Sequence, residues 1–445
     1  MNRRLWVATA VVVLLVAGSY LYRMLGAPVS APDSAIQGSL YSDAPAAGAF
    51  TDQLVASLQD HLRLSPADER GYATLGAAYL QKARETGDTA YYGKAGAVLQ
   101  KAVSLQPKDF EALASLGVLA LARHQFREAL EDGQRARALN MFNARGLGVI
   151  VDAQVELGDY PAAVRSMQSM VDLRPDMGSY ARVSYLRELH GDPAGALVMM
   201  RQAVESGSGV PENLAWTRAH TGLLLFNRGD LDGAQREYED ALSAAPDYVP
   251  ARAGLARIAA ARGDLAGAIA LYENVTRVMP LPEYVITLGD CYARAGRAAD
   301  AARTYALVGA IAQLQRANGV DIDLEMSLFE ADHLGETGAT QGTAAAIVVQ
   351  ARQAYANRPT IYGADALGWA LYQSGEAGEA KQRAAGALKL NTQDALLWFH
   401  AGMIDARLGD RVAARDKLAH ALQLNPYFSL LWSGIARETL ARVQD

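Results

Sequence analysis

The stretch "NRGDLDGA" occupies Asn227 to Ala234, and "ARGDLAGA" occupies Ala261 to Ala268, thirty-four residues later. Both contain Arg-Gly-Asp, a tripeptide that can serve as a cell-adhesion ligand. Their reading decides between exposed recognition loops and a turn that the fold needs. The same slot holds Gly158 in "ELGDY", Gly191 in "LHGDP", Gly296 in "RAGRA", Gly375 in "QSGEA" and Gly409 in "RLGDR". From Gly158 to Gly296 the steps are 33, 38, 34 and 33 residues, and Gly375 to Gly409 is again 34. Five residues after these glycines comes an Ala: Ala163, Ala196, Ala234, Ala268, Ala301, Ala380 and Ala414. Pro175, Pro246, Pro280 and Pro426 close their units.

The period implies a helical hairpin. An apolar helix ends at the Gly, which takes a positive φ and closes it. Asp159, Asp192, Asp230, Asp264 and Asp410 follow as N-caps of the next helix. Pro161 and Pro193 stand where a first-turn Pro is tolerated. The alanines let the two helices approach closely, and the late Pro stops the second one. The Gly and Asp of Arg-Gly-Asp therefore follow from turn chemistry, and the Arg is incidental. A lone hairpin of this length is marginal in water, so the units must stack to bury a shared face.

The pattern resembles the tetratricopeptide repeat family. The match is best in "YATLGAAY", where Tyr72, Leu75, Gly76 and Tyr79 fill the aromatic, Leu, Gly and Tyr slots. "LASLGVLA" (Leu113 to Ala120) and "YVITLGDCY" (Tyr284 to Tyr292) follow it, and Tyr238, Tyr272 and Tyr305 fill the aromatic slot of the second helix. The resemblance covers roughly residues 66 to 426, about ten units in register. It implies an all-α fold: an α-solenoid, a right-handed superhelix whose first helices line the concave side. Unit one carries extra residues around "RETGDTAYY", unit eight is distorted by "GETGATQGT", and unit four ends in "ESGSGVPE". Residues 49–66 and 428–445 are expected to be capping helices around an array at 67–427.

Bulk composition agrees with a folded helical array. Of the 445 residues, 51% are hydrophobic and 20% charged, with a net charge of −6 and no basic stripe to suggest nucleic acid. Cys291 is the single cysteine, which excludes an intrachain disulfide and a thiolate metal cluster. Residues 1–25 differ from the rest. After Arg3 and Arg4, Leu5 to Tyr22 is an uncharged run near the length that crosses a bilayer, with Trp6, Tyr20 and Tyr22 at its ends. It is expected to be a single-pass anchor with a cytoplasmic amino terminus and an extracytoplasmic array. The alternative is a cleaved signal sequence and a soluble exported protein. Residues 26–48, rich in Ala, Ser, Pro and Gly, are expected to be a flexible tether.

No catalytic constellation stands out, and no cofactor is expected. "EADHLGE" holds Glu330, Asp332, His333 and Glu336, a polar cluster that leaves room for an enzyme reading near residues 321–343. Cys291 has the setting of a packed small hydrophobe. The resemblance implies a concave groove that binds proteins or peptides. By register its candidates in units three to seven are Arg145, Asp152, Arg182, Tyr185, Trp216, His220, Arg257, Asp290 and Arg294. In units nine and ten they are Tyr362, Asp365, Trp369, Tyr372, Phe399, His400 and Met403, with Trp369, Tyr372, Phe399 and Met403 expected to form one apolar strip on the concave wall. The alternative is that this second set is core. The family's clamp for peptide carboxylates is not evident, because Ala73, Ala77, Ala114 and Val118 occupy the relevant face. The sequence thus points to a membrane-tethered, non-enzymatic scaffold for protein partners, with an exported peptide- or glycan-binding protein as its rival.

Overall fold

A computed structural model describes residues 47–207, 210–336 and 343–444. The expected anchor and most of the expected tether lie outside the described residues. Among those described, no helix is long and apolar enough to cross a membrane, and there is no strand.

A single helix, α1 (Ala47–Leu64), comes first. Units one to three pair α2 (Glu69–Thr86) with α3 (Ala90–Leu105), α4 (Phe110–Ala122) with α5 (Phe126–Leu139), and α6 (Ala144–Glu156) with α7 (Tyr160–Leu173). Units four to six pair α8 (Met177–Leu189) with α9 (Pro193–Glu205), α10 (Pro211–Asn227) with α11 (Leu231–Ala244), and α12 (Val249–Ala261) with α13 (Leu265–Val278). Units seven and eight pair α14 (Pro282–Arg294) with α15 (Ala298–Ala317) and α16 (Asp323–Asp332) with α17 (Ala344–Asn357). Units nine and ten pair α18 (Ile361–Gln373) with α19 (Ala377–Ala387) and α20 (Ala395–Arg407) with α21 (Arg411–Leu424). A last single helix, α22 (Trp432–Gln444), packs on unit ten. Each helix packs on its chain neighbours, and along much of the array adjacent first helices also touch. The result is an all-α solenoid of ten hairpins, as the period requires.

The turn chemistry holds in detail. The seven glycines of the period have φ between +72° and +91°. Asp159, Asp192, Asp230, Asp264 and Asp410 each accept a hydrogen bond from a backbone N–H in the first turn of the following helix. Unit two departs from the pattern: His124 takes the turn slot at φ 58°. Small residues in the helices serve close packing. A Cβ on Gly76 would sit 2.5 Å from the Leu99 side chain, so only Gly lets α2 and α3 approach there. Tyr238 and Tyr305 are buried against Gly254 and Gly289 in the same way.

The hairpins coil back onto themselves, which the 34-residue period does not announce. The Asp321 N–H donates to Arg123 O at 3.0 Å. Ile361 N–H donates to Tyr160 Oη at 3.0 Å, and Asn425 Nδ2 to Phe226 O at 3.0 Å. Arg358 pairs with Glu156 of one turn and, at 2.7 Å, with Glu325 of the other. Gly87 lies against Met279, Gly158 against Pro359, Gly191 against Asn391 and Gly229 against Pro426, at sequence separations of 192, 201, 200 and 197. The hairpin tip of each of the first five units therefore meets the linker that follows the unit five places on. The tips at Gly263, Gly296, Gly375 and Gly409 have open space around them.

The two Arg-Gly-Asp copies thus differ. Gly229 sits in this seam, while Gly263 is open, and Arg262 is held by Asp232 and by Gln235 at 2.6 Å.

Candidate functional site

A cavity of about 2060 Å³ lies inside the coil. Its walls are first helices α10, α12, α14 and α16, closed by the tip of unit one and by the segment leading into α22. Five of the residues expected from register line it: Trp216, His220, Arg257, Asp290 and Arg294. Its volume exceeds the several hundred to a thousand Å³ typical of a small-molecule site.

On α10, the His220 ring lies 3.8 Å from the Trp216 ring, centroid to centroid. His220 Nδ1 donates to Trp216 O at 2.9 Å, because a carbonyl oxygen can only accept. Burial pushes His220 down to about 4, so it is neutral at pH 7 and offers Nε2 as an acceptor. The Trp216 Nε1 and Asn213 Nδ2 donors are buried with no hydrogen-bond partner among the described residues. Arg257 lies over the Phe226 ring at 4.3 Å, and Arg294 is exposed to the lumen. Asp290 accepts from Tyr305 Oη at 3.0 Å and from His333 Nε2 at 2.9 Å. Burial lowers the His333 ring, but Asp290 outweighs it and the net shift is upward.

The other candidates do not face this lumen. Arg145, Asp152 and Arg182 are buried, which corrects their placement as open groove residues. Arg145 donates to Glu111 at 2.7 Å and to Ser115 at 2.8 Å. Arg182 makes two bonds to Asp152, at 2.9 and 2.7 Å. These charges stitch each first helix to the one before it. Tyr185 and Tyr362 are half-buried in one cluster, where the first turn of the coil meets the second.

The expected apolar strip is also corrected. Trp369 is 1% exposed and Phe399 0%. Trp369 stacks on Tyr372 at 4.7 Å and on His400 at 4.1 Å, with Trp432 of α22 edge-on at 5.3 Å. Trp369 Nε1 and Trp432 Nε1 both donate to Asp332 Oδ1, at 2.8 and 2.9 Å. Met403 is half-buried against the same core. His400 Nδ1 pairs with Asp365 at 2.9 Å, both buried. The register gave the right helix face, but α16 and α22 cover it.

The "EADHLGE" cluster disperses: His333 goes to Asp290 and Asp332 to the two tryptophans. Among the described residues no group of three or more His, Cys, Asp or Glu is placed to hold a metal. Cys291 is fully buried, and burial pushes its thiol up to about 12. Lumen residues that register reasoning missed include Asn213, Glu283, Tyr284 and Phe329. Asn213 and Glu283 each follow a helix-starting Pro by one or two residues, a signal that marks helix starts but not lumen position.

Residues 225–285, from the end of α10 into α14, match the family model described as tetratricopeptide repeat. A relative, "Cellulose synthase 1 operon protein C" of Komagataeibacter xylinus, is 26% identical over 279 residues, which is 59% of this chain and 20% of that protein. The chain thus spans about a fifth of that relative's length. Among solved structures, a thermophilic TPR protein from Thermus thermophilus is 23% identical, covering 41% of this chain and 95% of that one at a TM-score of 0.37. Pseudomonas aeruginosa PilF is 20% identical, covering 48% and 93% at a TM-score of 0.35.

Proposed function

We propose that the protein is a membrane-tethered scaffold that holds a segment of a partner protein in this lumen, outside the cytoplasm, in the assembly of an envelope or secretion complex. One observation carries the reading: the lumen, about 2060 Å³, is walled by first helices and lined by apolar and aromatic side chains with Arg257, Asp290 and Arg294 among them. A lumen of this size, apolar with a few charged groups, suits an extended polypeptide better than a small molecule. The repeat match supports a protein-binding role, and the operon name of the relative supports an envelope setting. The uncharged run at residues 5–22 supports the tether.

Two measurements test this. A photo-crosslinking amino acid at Arg294, in the lumen, should capture a partner polypeptide in native membranes, and the same group at Val412, on the outer surface, should not. Equal capture from both positions, or none from Arg294, removes the lumen as the site. Alkaline carbonate extraction should leave the chain in the membrane pellet, and its release there overturns the tether.

A further inference from the structure

The first helices that wall the lumen run in one direction, so each brings its start to one rim and its end toward the other. Glu85, Glu212, Asp247, Glu283 and Glu325 line the lumen. Glu212 is the second residue of α10 and Glu283 the second of α14, Asp247 stands just before α12, and Glu325 lies in the first turn of α16. Three of these carboxylates are already met: Glu85 by Lys82 at 3.4 Å, Asp247 by Arg252 at 2.9 Å and Glu325 by Arg358 at 2.7 Å. Glu212 accepts from the neutral Gln81 at 2.6 Å, and Glu283, exposed to the lumen, has no ion pair among the described residues. Arg84 lines the same rim and makes an ion pair with neither of them among the described residues.

The far ends of the same helices carry the opposite sign. Arg257 is the ninth residue of α12 and Arg294 the last of α14. Arg257 lies over the Phe226 ring, and neither guanidinium has a carboxylate partner among the described residues. The lumen carboxylates on that side are occupied: Asp290 by Tyr305 and His333, Asp332 by the indoles of Trp369 and Trp432. A helix dipole favours acids at the start and bases at the end, but it does not choose the face. Here Glu212, Glu283, Arg257 and Arg294 all face the lumen.

We propose that the partner segment is extended and charge-polarised, with a basic part at Glu212 and Glu283, an acidic part at Arg257 and Arg294, and apolar residues between. This rests on the function proposed above and deepens it. The spacing sets the length. Glu283 and Arg294 are the second and last residues of α14, about 16 Å apart along the helix axis. An extended chain covers that in about five residues. Between the two ends the wall offers Trp216, Phe226, Tyr272 and Tyr284 to the apolar residues. Inside the lumen such ion pairs are screened less than on the outer surface.

Fluorescence anisotropy on the full chain tests the charge ordering. The probe is a labelled peptide with paired lysines and paired aspartates about five residues apart, separated by Pro, Leu and Tyr. A second peptide replaces the lysines by Gln and the aspartates by Asn. The charged peptide should bind at least about tenfold more tightly than the neutral one, since each pair contributes up to about fivefold. Its affinity should fall with added salt, and that of the neutral peptide should not. Glu283→Gln and Arg294→Gln change exposed side chains, so both variants should fold. Each should weaken the charged peptide about three- to fivefold and leave the neutral one unchanged. Arg303→Gln, on the outer face of α15, should change neither. Equal affinity for the two peptides, no binding of the charged one, or unchanged affinity in both lumen variants overturns the charge ordering. The crosslink at Arg294 decides the lumen separately: capture there with equal peptide affinities sinks the ordering alone.

Discussion

His220 and His400 occupy the same position on their first helices, two residues before the packing Gly222 and Gly402. They nevertheless live in opposite environments. His220 borders the lumen, gives its proton to a backbone carbonyl and is pushed down to about 4 by burial. His400 is 1% exposed and faces Asp365, whose charge outweighs burial and shifts the ring upward. The repeat alone does not decide which face of a first helix is free. What lies across the coil decides it: open space for units five to seven, α16 and α22 for units nine and ten.

The largest test of that contrast is Trp369→Ala. Removing a buried Trp costs about 3–5 kcal/mol of folding free energy, read by denaturant unfolding. A loss under about 1 kcal/mol would mean that units nine and ten are open after all. Asp365→Asn should cost about 1–3 kcal/mol, because buried His400 loses its charged partner. The pair's stabilisation is present at low pH and fades as pH rises through the raised His400 value, so the variant's deficit should shrink toward alkaline pH. His220 works in the other direction. Its folded value lies below the unfolded one, so it withdraws stability as pH falls from about 6.5 toward 4. His220→Gln should recover up to about 2 kcal/mol near pH 4 and change little at pH 8. Parallel pH profiles for the two variants would erase the distinction between the regions. Arg257→Ala, at the lumen wall over Phe226, should cost at most about 1 kcal/mol of stability. Arg228→Ala, in the exposed first residue of an Arg-Gly-Asp copy, should stay within about 0.5 kcal/mol and leave any adhesion readout unchanged.

Local structure was legible because each unit repeats its own chemistry. Gly229 needs a positive φ, Asp230 needs a backbone N–H to cap, and Gly76 needs Leu99 close by. All three demands are met within one hairpin, so a sequence window of one unit contains them. The lumen was partly legible for the same reason: Trp216, His220, Arg257, Asp290 and Arg294 sit on a face that the register defines. The strip at Trp369 and Phe399 failed because its covering groups, Asp332 and Trp432, come from other units. The ladder from Asp152 to Arg182 failed because its polar residue types match those of a solvated groove while its members satisfy each other. His124 in place of a turn Gly left no mark that periodicity could catch.

The seam has a consequence for how such a chain can change length. A lost or duplicated hairpin in an open array leaves every remaining neighbour in place. Here the tip at Gly158 must reach Pro359, and the tip at Gly191 must reach Asn391, each about two hundred residues downstream. Excising one whole hairpin between them would preserve every local cap and every Gly–Tyr contact, yet shift each tip onto the wrong linker. Circumference is therefore a heritable constraint on this molecule. The count of units between partners is as fixed as any buried side chain, and the open tips at Gly375 and Gly409 do not escape it, because the linkers at Asn391 and Pro426 that follow them seat the tips at Gly191 and Gly229.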